Sequence, residues 1–221
     1  MRIKLPNSWD GVTVGEYQAI RNILKEDGDP YLIECAIIST LSGKDMDVIM
    51  GLTREAHGKI MTDTLAFLNT EVSGKLKRRV KLKGKRYYIE SRIKNITGGQ
   101  YVDLTHFMKS EDPDANLHNL LACLTVKLDW KWSKQPYNGK EHGDVAELMR
   151  SLPITTVKPI TDFFLSSYVE LLSNIAAYLM REGTKLKEKA EEQLANSSKP
   201  TDGFTPSTAS RMDAGNFGTS T

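Results

Sequence analysis

The sequence predicts a mainly α-helical protein made of two similar four-helix lobes, with an inserted β-hairpin and an extended C-terminal arm. Three observations lead to this prediction. A phrase typical of a helix start occurs twice, the segments after it recur in the same order, and a basic stretch separates the two copies. The predicted limits are a first lobe over 1–74, the hairpin over 75–94, a second lobe over 95–182 with a loop insertion at 128–144, a charged helix over 183–198 and a tail over 199–221.

The repeated phrase is TVGEY at 13–17 and TGGQY at 97–101. In each copy a threonine is followed three residues later by Glu or Gln, as in a capping box, where the two side chains satisfy free N–H groups at a helix start. Thr13 and Thr97 are therefore predicted to cap two helices, each with one apolar stripe. We expect the Tyr17 and Tyr101 rings, which begin these stripes, to pack beneath the second helix of their own lobe.

Three further segments recur after the phrase. The pairs are DGDPYLIECAIISTL (27–41) with EDPDANLHNLLACLTV (111–126), DVIMGL (47–52) with DVAELMRSL (144–152), and KIMTDTLAFL (59–68) with KPITDFFLSS (158–167). Four matches in one order favour an internal duplication over chance, and the period is too long for a solenoid. Residues 13–68 are thus expected to superimpose on 97–167 as four helices each, with Cys35 near the place of Cys123.

Apolar and basic residues alternate in KLKRRVKLKGKRYYIE (75–90), as they do in a half-buried strand. The apolar positions are Leu76, Val80 and Leu82, and the basic positions are Lys75, Lys77, Arg79, Lys81 and Lys83. A turn at Gly84-Lys85 then reverses the chain, so the stretch is predicted to form a β-hairpin.

Two aromatic segments lie outside the repeated helices. The loop insertion at 128–144 holds Trp130, Trp132 and Tyr137, and its Asn-Gly pair indicates a turn. The tail at 199–221 is rich in Ser, Thr, Gly and Pro, so it is expected to be flexible unless a partner holds it. Phe204 and Phe217 are the residues through which a partner would hold this tail.

The window 160–180 is the most apolar part of the chain. Its Asp, Glu, Ser and Asn residues predict a core helix rather than a membrane span. The segment after it, rich in Ala, Glu and Lys, predicts a charged helix over 183–198 that is solvated or faces a partner.

Overall composition excludes several classes of protein. The 30 basic residues nearly balance the 28 acidic ones, and the net charge of +2 gives no global field for nucleic acid or membrane. Cys35 and Cys123 lie in apolar runs, which predicts a buried, reduced pair and a cytoplasmic product. The start MRIKLPNSWD has no apolar segment, so no signal peptide is predicted.

The sequence offers no catalytic or metal-binding motif. The four histidines, which are expected on surfaces or helix faces, are His57, His106, His118 and His142. The stretch SGKD (42–45) lacks the upstream glycine and the Ser or Thr of a phosphate-binding loop. Asp63 and Asp162 each follow a threonine and are expected in first turns, where they complement the helix dipole. We therefore predict no enzyme, no cofactor and no metal.

The basic hairpin is the sharpest local feature, with eight Lys or Arg among the twelve residues 75–86. The sequence leaves open three alternative roles for this hairpin. The strip could neutralise phosphates while Tyr87 and Tyr88 stack on bases. It could instead protect an exposed strand edge from pairing with other chains, or bind an acidic protein surface.

The combination of LPNSWDGVTVGEYQAI, IISTLSG, KLKGKRYYIE and NITGGQYVDL resembles small proteins encoded among the virion-morphogenesis genes of tailed bacteriophages. Some of those proteins are tail assembly chaperones and others are virion-associated. The likeness covers about residues 3–180 and rests on a loose pattern of Trp, Thr and Glu/Gln-Tyr rather than on a catalytic signature.

The resemblance implies a non-enzymatic structural or assembly protein, located in the virion and in the host cytoplasm during assembly. Its partners would be other phage structural proteins of the tail, neck or connector, and a homo-oligomeric ring is one arrangement that such a role allows. A transient tail assembly chaperone is the alternative, and a nucleic-acid-binding module using hairpin 75–86 is the alternative from another class; no membrane partner is expected. The candidate contact residues, chosen for charge or aromatic character, are Lys77, Arg79, Lys81, Lys83, Trp130, Trp132, Tyr137, Phe204 and Phe217.

Overall fold

The structure is a computed structural model that describes residues 3–75, 77–109, 112 and 114–197. The described residues are mainly helical and include one small antiparallel sheet, which confirms the predicted fold class at this level. Leu76, Phe204, Phe217 and the rest of the tail 199–221 lie outside the described residues.

The helices and strands follow one another along the chain in this order. The first half contains α1 (Val14–Ile23), α2 (Pro30–Ser42), α3 (Met46–Met50) and α4 (Arg54–Lys59). The middle contains β1 (Arg79–Leu82) and β2 (Lys85–Ile89). The second half contains α5 (Gly98–Met108), α6 (Leu117–Leu124), β3 (Thr125–Leu128), α7 (His142–Arg150) and α8 (Ile154–Ser197).

Both predicted capping boxes are present. The Thr13 hydroxyl accepts from the Glu16 backbone N–H at 3.2 Å, and the Glu16 carboxylate accepts from the Thr13 N–H at 2.7 Å. The Thr97 hydroxyl accepts from the Gln100 N–H at 3.3 Å, and the Gln100 side-chain oxygen accepts from the Thr97 N–H at 3.0 Å. The two threonines therefore start α1 and α5 as the sequence predicts.

The two halves contain their helices in the predicted order, but the paired helices differ in length. Helix α3 has 5 residues against 9 in α7, and α4 has 6 residues against 44 in α8. Helix α4 also continues into a π-helical turn over Ile60–Thr64. The internal duplication itself stays a prediction.

The two tyrosines of the repeated phrase differ in burial. The Tyr17 ring is 6% exposed, lies edge-on to Trp9 and donates its hydroxyl to Asp114 at 3.4 Å, a residue of the other half. The Tyr101 ring is 38% exposed and lies 6.3 Å from the Tyr168 ring. The expectation that each ring packs beneath the second helix of its own lobe is wrong for Tyr101, which is more than a third exposed beside Tyr168, and it stays a prediction for the buried Tyr17.

The apolar side chains of both halves contribute to one core. The chain divides into two compact units, 1–172 and 173–221, and the first contains the predicted first lobe, the hairpin and the second lobe as far as residue 172. Its core cluster includes Ile38 from α2, Leu121 from α6 and Ile160 from α8. Within this unit the two halves thus bury their apolar stripes together, which gives a larger core than four helices would form alone.

The predicted hairpin is confirmed, with its turn shifted by one residue. Strand β1 alternates exposed and half-buried residues, and Val80 and Leu82 face the protein. Lys83 and Gly84 form the turn with φ of 45° and 77°, both left-handed, as a tight two-residue hairpin connection requires. Lys85, predicted within the turn, instead begins β2 and pairs with Leu82.

A third strand, β3, was not predicted. The sequence predicts that the apolar helix continues to residue 126 and that the loop begins at 128, whereas α6 ends at Leu124 and β3 pairs antiparallel with β2. Thr125 and Val126 are β-branched residues that suit a strand, and pairing with β2 outweighs the continuation of the helix. The resulting strand order is β1-β2-β3, with β2 in the centre.

Helix α8 joins the predicted core helix and the predicted charged helix. It continues through Pro159 and Gly183 as one helix, and so includes the predicted charged helix. The prediction of a core helix over 160–180 holds only in part, because full burial on α8 ends at Tyr168, Leu171 is half-buried, and the apolar residues from Leu172 onward are exposed. By length and composition, residues 154–194 could cross a membrane, a property shared with core helices of soluble proteins.

Candidate binding surface on the β-sheet

The sheet has one covered face and one open face. Residues that are paired across antiparallel strands share a face, and the pairs include Arg79 with Tyr88 and Lys81 with Arg86. These four side chains define the outer face. The alternate residues on β2, Tyr87 and Ile89, are 1% and 0% exposed and face the protein interior, so Tyr87 is not available to stack on a base.

A tight turn after β3 carries two tryptophans to the outer face. Leu128 forms a β-bridge with Lys134, and the Asp129 N–H donates to the Ser133 carbonyl at 3.0 Å, so the chain reverses within five residues. The Asp129 side chain accepts from the Ser133 N–H at 2.8 Å and closes the turn. Trp132 takes a left-handed backbone conformation with φ of 66°, which is uncommon for a bulky residue and directs its indole across the sheet.

Arginine side chains from two strands meet the Trp132 ring. The guanidinium carbon of Arg86 lies 4.3 Å from the ring centroid and that of Arg79 lies 5.5 Å away, both within cation–π range. Arg86 also donates to the Trp130 backbone carbonyl at 3.4 Å. Trp130 is 79% exposed and Trp132 is 49% exposed. We call this set the Trp–Arg surface, comprising Arg79, Lys81, Arg86, Tyr88, Trp130, Trp132 and Lys134.

The edge of the Trp–Arg surface contains a buried carboxylate. Lys134 lies over the Tyr88 ring at 3.8 Å and pairs with Glu90 at 2.9 Å. Burial alone would raise the pKa of Glu90, but hydrogen bonds from Lys134 and from the Arg92 N–H outweigh it and lower that pKa. Glu90 is therefore ionised at neutral pH and neutralises Lys134.

The other cations of the surface are not neutralised in this way. Across residues 3–75, 77–109, 112 and 114–197, no carboxylate lies within ion-pair distance of Arg79, Lys81 or Arg86. A surface depression of about 400 Å³ lies beside them, lined by Lys81, Arg86 and Trp130 among others. The Trp–Arg surface thus offers unpaired positive charge beside exposed aromatic rings.

The structure brings four of the predicted contact residues together: Arg79, Lys81, Trp130 and Trp132. Lys83 is exposed at the tip of the hairpin. Lys77 lies apart, in a groove with Asp10 and Thr155.

Tyr137 does not belong to the Trp–Arg surface. It is half-buried, and its hydroxyl donates to the Asp103 carboxylate at 2.7 Å. Burial and this hydrogen bond raise the pKa of Tyr137, which keeps the phenol neutral. The loop therefore folds back against α5 and uses the hydroxyl within the protein, and the role of Tyr137 as a partner contact stays a prediction.

Sequence reasoning missed Arg86 and Lys134 as members of the surface. Arg86 follows the turn at the position that pairs with Lys81, so a correct turn position would have placed it on the outer face. Lys134 had no comparable signal, because its position depends on the bridge to Leu128.

Two Cys–His contacts among the described residues are further places where chemistry could arise. Cys35 Sγ lies 3.7 Å from His57 Nε2, and Cys123 Sγ lies 3.9 Å from His142 Nδ1. Burial raises the pKa of Cys123 to about 12 and lowers the pKa of His142. The Cys123–His142 contact is thus a neutral thiol beside a neutral imidazole, the opposite of an activated nucleophile.

The acidic and histidine residues show no further cluster. Among the described residues, no group of three or more His, Cys, Asp or Glu side chains could hold a metal ion. His57 is buried in α4 rather than exposed. Asp162 is not in a first turn as expected, because α8 begins at Ile154, and it pairs with Lys158 along the helix.

Comparison with protein-family models, with curated proteins and with solved structures finds no match to this chain. The fold and the Trp–Arg surface define a mainly helical protein with an exposed, basic and aromatic surface on its sheet.

Proposed function

We propose that this protein is a non-enzymatic structural or assembly protein of a tailed bacteriophage and that it binds another virion component through the Trp–Arg surface. The single observation that carries the proposal is the placement of Trp130 and Trp132 beside three unpaired cations on an open sheet face. The sequence resemblance to virion-morphogenesis proteins supplies the biological setting.

Exposed tryptophan next to arginine is costly on a surface that binds nothing. Trp and Arg are the residue types that most often dominate the binding energy of protein interfaces. A Trp130 ring that is 79% exposed leaves much of its apolar area in water, and a partner would remove that area from solvent. This arrangement supports a binding role.

The charge of the surface determines the expected partner. Arg79, Lys81 and Arg86 can pair with carboxylates, and an arginine can do so through two parallel hydrogen bonds. We therefore expect an acidic patch with an apolar centre on a neighbouring tail, neck or connector protein.

Mass spectrometry of purified particles separates a virion component, which is present, from a transient tail assembly chaperone, which is not.

The test compares how well two variants of the protein, each with one reversed charge, are incorporated into phage particles. Arg86→Glu should abolish or strongly reduce incorporation, whereas Lys94→Glu, an equal charge change at an exposed site away from the sheet, should leave it unchanged. Normal incorporation and normal particle yield with both Arg86→Glu and Trp132→Ala would overturn the proposal.

A single-stranded nucleic acid is the second candidate partner. The observation that favours it is the combination of Tyr88, Trp130 and Trp132 rings with cations that could follow a phosphate backbone. Fluorescence anisotropy with a labelled single-stranded oligonucleotide should then show binding that weakens steeply with salt and is lost in Lys81→Glu. Absence of binding at low salt removes this candidate and leaves the protein partner.

A further inference from the structure

Helix α8 carries a leucine at every seventh position over four repeats. The leucines are Leu165, Leu172, Leu179 and Leu186. Small residues or valine follow each leucine at a distance of four residues, namely Val169, Ala176, Gly183 and Ala190. This alternation of four- and three-residue steps is the a/d pattern of a coiled coil, with leucine at d and mostly small residues at a.

The leucine stripe is exposed along the later part of the helix. Leu172 is 44% exposed, Leu179 is 62% exposed and Leu186 is 67% exposed. The opposite side of the same helix carries Asn174, Arg181 and Glu188, again at seven-residue spacing. The side of the helix opposite the seam is thus polar, while the exposed side chains of Ile175, Tyr178 and Met180 extend the apolar surface beside the seam.

We infer that a second copy of this chain covers the stripe, forming a parallel two-stranded coiled coil along residues 165–193 of α8. In a parallel pair, the residue at each g position, which precedes an a position, faces an e position on the other helix. That e position directly follows the next d position. This places Glu182 opposite Lys187 of the second copy and Ile175 opposite Met180, so both flanking pairs match in character.

The charged flanks are available for this pairing. Glu182 pairs with Lys185 at 2.8 Å and Lys187 pairs with Glu191 at 3.9 Å along the same helix, and all four side chains are more than a third exposed. Such exposed pairs contribute little stability, so exchanging them for contacts between helices is easy. The pairing of one chain with itself is therefore favoured by charge as well as by the seam.

The small residues at a positions set the number of helices. Ala176, Gly183 and Ala190 allow two backbones to approach closely, whereas a bundle of three or four helices would leave unfilled volume at these layers. A pair of helices therefore fills the space at the seam better than a larger bundle does.

A lipid bilayer explains the stripe less well. The apolar stretch that could enter a membrane ends before Arg181, yet the heptad pattern continues through Leu186 and Ala190. Leu186 lies between Lys185 and Lys187, where no bilayer core would accept the chain. A second copy accounts for the whole stripe, including the part among charged residues.

The first experiment measures the mass of the full chain by sedimentation across a range of concentrations. The wild type should be a dimer, and Leu179→Ala with Leu186→Ala should raise the dissociation constant by at least about a hundredfold. Tyr178→Ala is the matched control, because it removes an exposed apolar ring next to the stripe but outside the seam, and it should remain dimeric. Near-UV circular dichroism checks that each variant is folded.

The second experiment tests orientation and register by oxidative cross-linking. Gly183→Cys should form a disulfide-linked dimer, because identical a positions face each other in a parallel pair, whereas Lys185→Cys on the outer side should not. Cys35 and Cys123 are buried and provide no background.

Three results would overturn the inference. The first is that the wild type is a monomer at high micromolar concentration. The second is that the Leu179→Ala, Leu186→Ala variant is still a dimer. The third is that Lys185→Cys cross-links as efficiently as Gly183→Cys. Flotation of the wild type with phosphatidylcholine and phosphatidylglycerol vesicles, together with a monomer in solution, would assign the stripe to a membrane instead.

Discussion

Helices α1 and α5 begin with the same capping box, yet their tyrosines at the fourth helical position have different surroundings. Tyr17 is enclosed by Trp9 and by Asp114 from the other half, whereas Tyr101 is 38% exposed. The caps also differ, because Glu16 only completes its box while Gln100 also donates to the Cys123 carbonyl at 2.8 Å. Local sequence therefore decides where each helix starts, and contacts with distant residues decide what that helix stabilises.

The largest difference between the two helices should come from their tyrosines. Tyr17→Ala should lower the free energy of unfolding by about 3–4 kcal/mol, because it leaves a cavity where the buried ring packs against Trp9 and removes the hydroxyl that donates to Asp114. Tyr101→Ala removes the same ring from a partly exposed site and should cost less than about 1 kcal/mol. Urea unfolding of both variants measures the difference, and equal losses would show that the two rings are equally buried in solution.

The two capping-box partners should differ next. Gln100→Ala should cost about 2–3 kcal/mol, because it removes a cap and leaves the buried Cys123 carbonyl without its donor. Glu16→Ala removes only a cap and should cost about 1 kcal/mol. Chemical denaturation checks both values, and Gln100→Glu is a useful control because it keeps the cap but replaces the donating amide. If Gln100→Ala and Glu16→Ala cost the same, the bond to Cys123 contributes nothing.

Ionisation of Tyr17 should destabilise the protein in alkaline solution. Burial, with help from the Asp114 charge, raises the pKa of Tyr17 to about 12 from about 10 in the unfolded chain. A raised folded-state pKa means that the stabilising contribution is complete below pH 10 and is lost between pH 10 and pH 12. At pH 11 the wild type should have lost about 1.4 kcal/mol that Tyr17→Phe cannot lose.

The measurement for this prediction is urea unfolding of both proteins at pH 9 and pH 11. The Phe variant corrects for every other group that titrates in this range. A decrease of the same size in both proteins would contradict the burial of the Tyr17 hydroxyl.

The smallest expected effect concerns the threonines that the two helices share. Thr13→Ala and Thr97→Ala should each cost about 1 kcal/mol, because each loses the side-chain acceptor of one helix N–H. Thr→Ser at either position keeps the hydroxyl and serves as the control. Thermal unfolding would reveal unequal caps if one alanine variant were neutral and the other were not.

The parts of the fold that could be predicted are those that local sequence determines. Thr13 with Glu16 and Thr97 with Gln100 are three residues apart, so the capping boxes are visible in the sequence. The alternation at β1 is visible in the same way. Strand β3 was missed because Thr125–Leu128 continues an apolar helix and becomes a strand only by pairing with β2, a contact distant in sequence.

The candidate site shows the same limit. Arg79, Lys81, Trp130 and Trp132 were recognisable from charge and aromatic character, but their meeting depends on the register of three strands and on the turn at Asp129. Tyr137 has the same aromatic character as the tryptophans, and only the fold shows that its hydroxyl is used by Asp103. The type of residue therefore predicted which side chains could belong to the surface, and strand pairing determined which of them lie together.

The unequal placement of the three tryptophans makes the intrinsic fluorescence of the chain a reporter of the Trp–Arg surface. Trp9 is held against Tyr17 and Phe67 and donates its ring N–H to the Thr70 carbonyl, so its emission should follow folding of the core. Trp130 and Trp132 face solvent and should be the indoles that iodide quenches. A ligand on the sheet would shift their emission to shorter wavelength and shield them from iodide, so binding can be followed without any label.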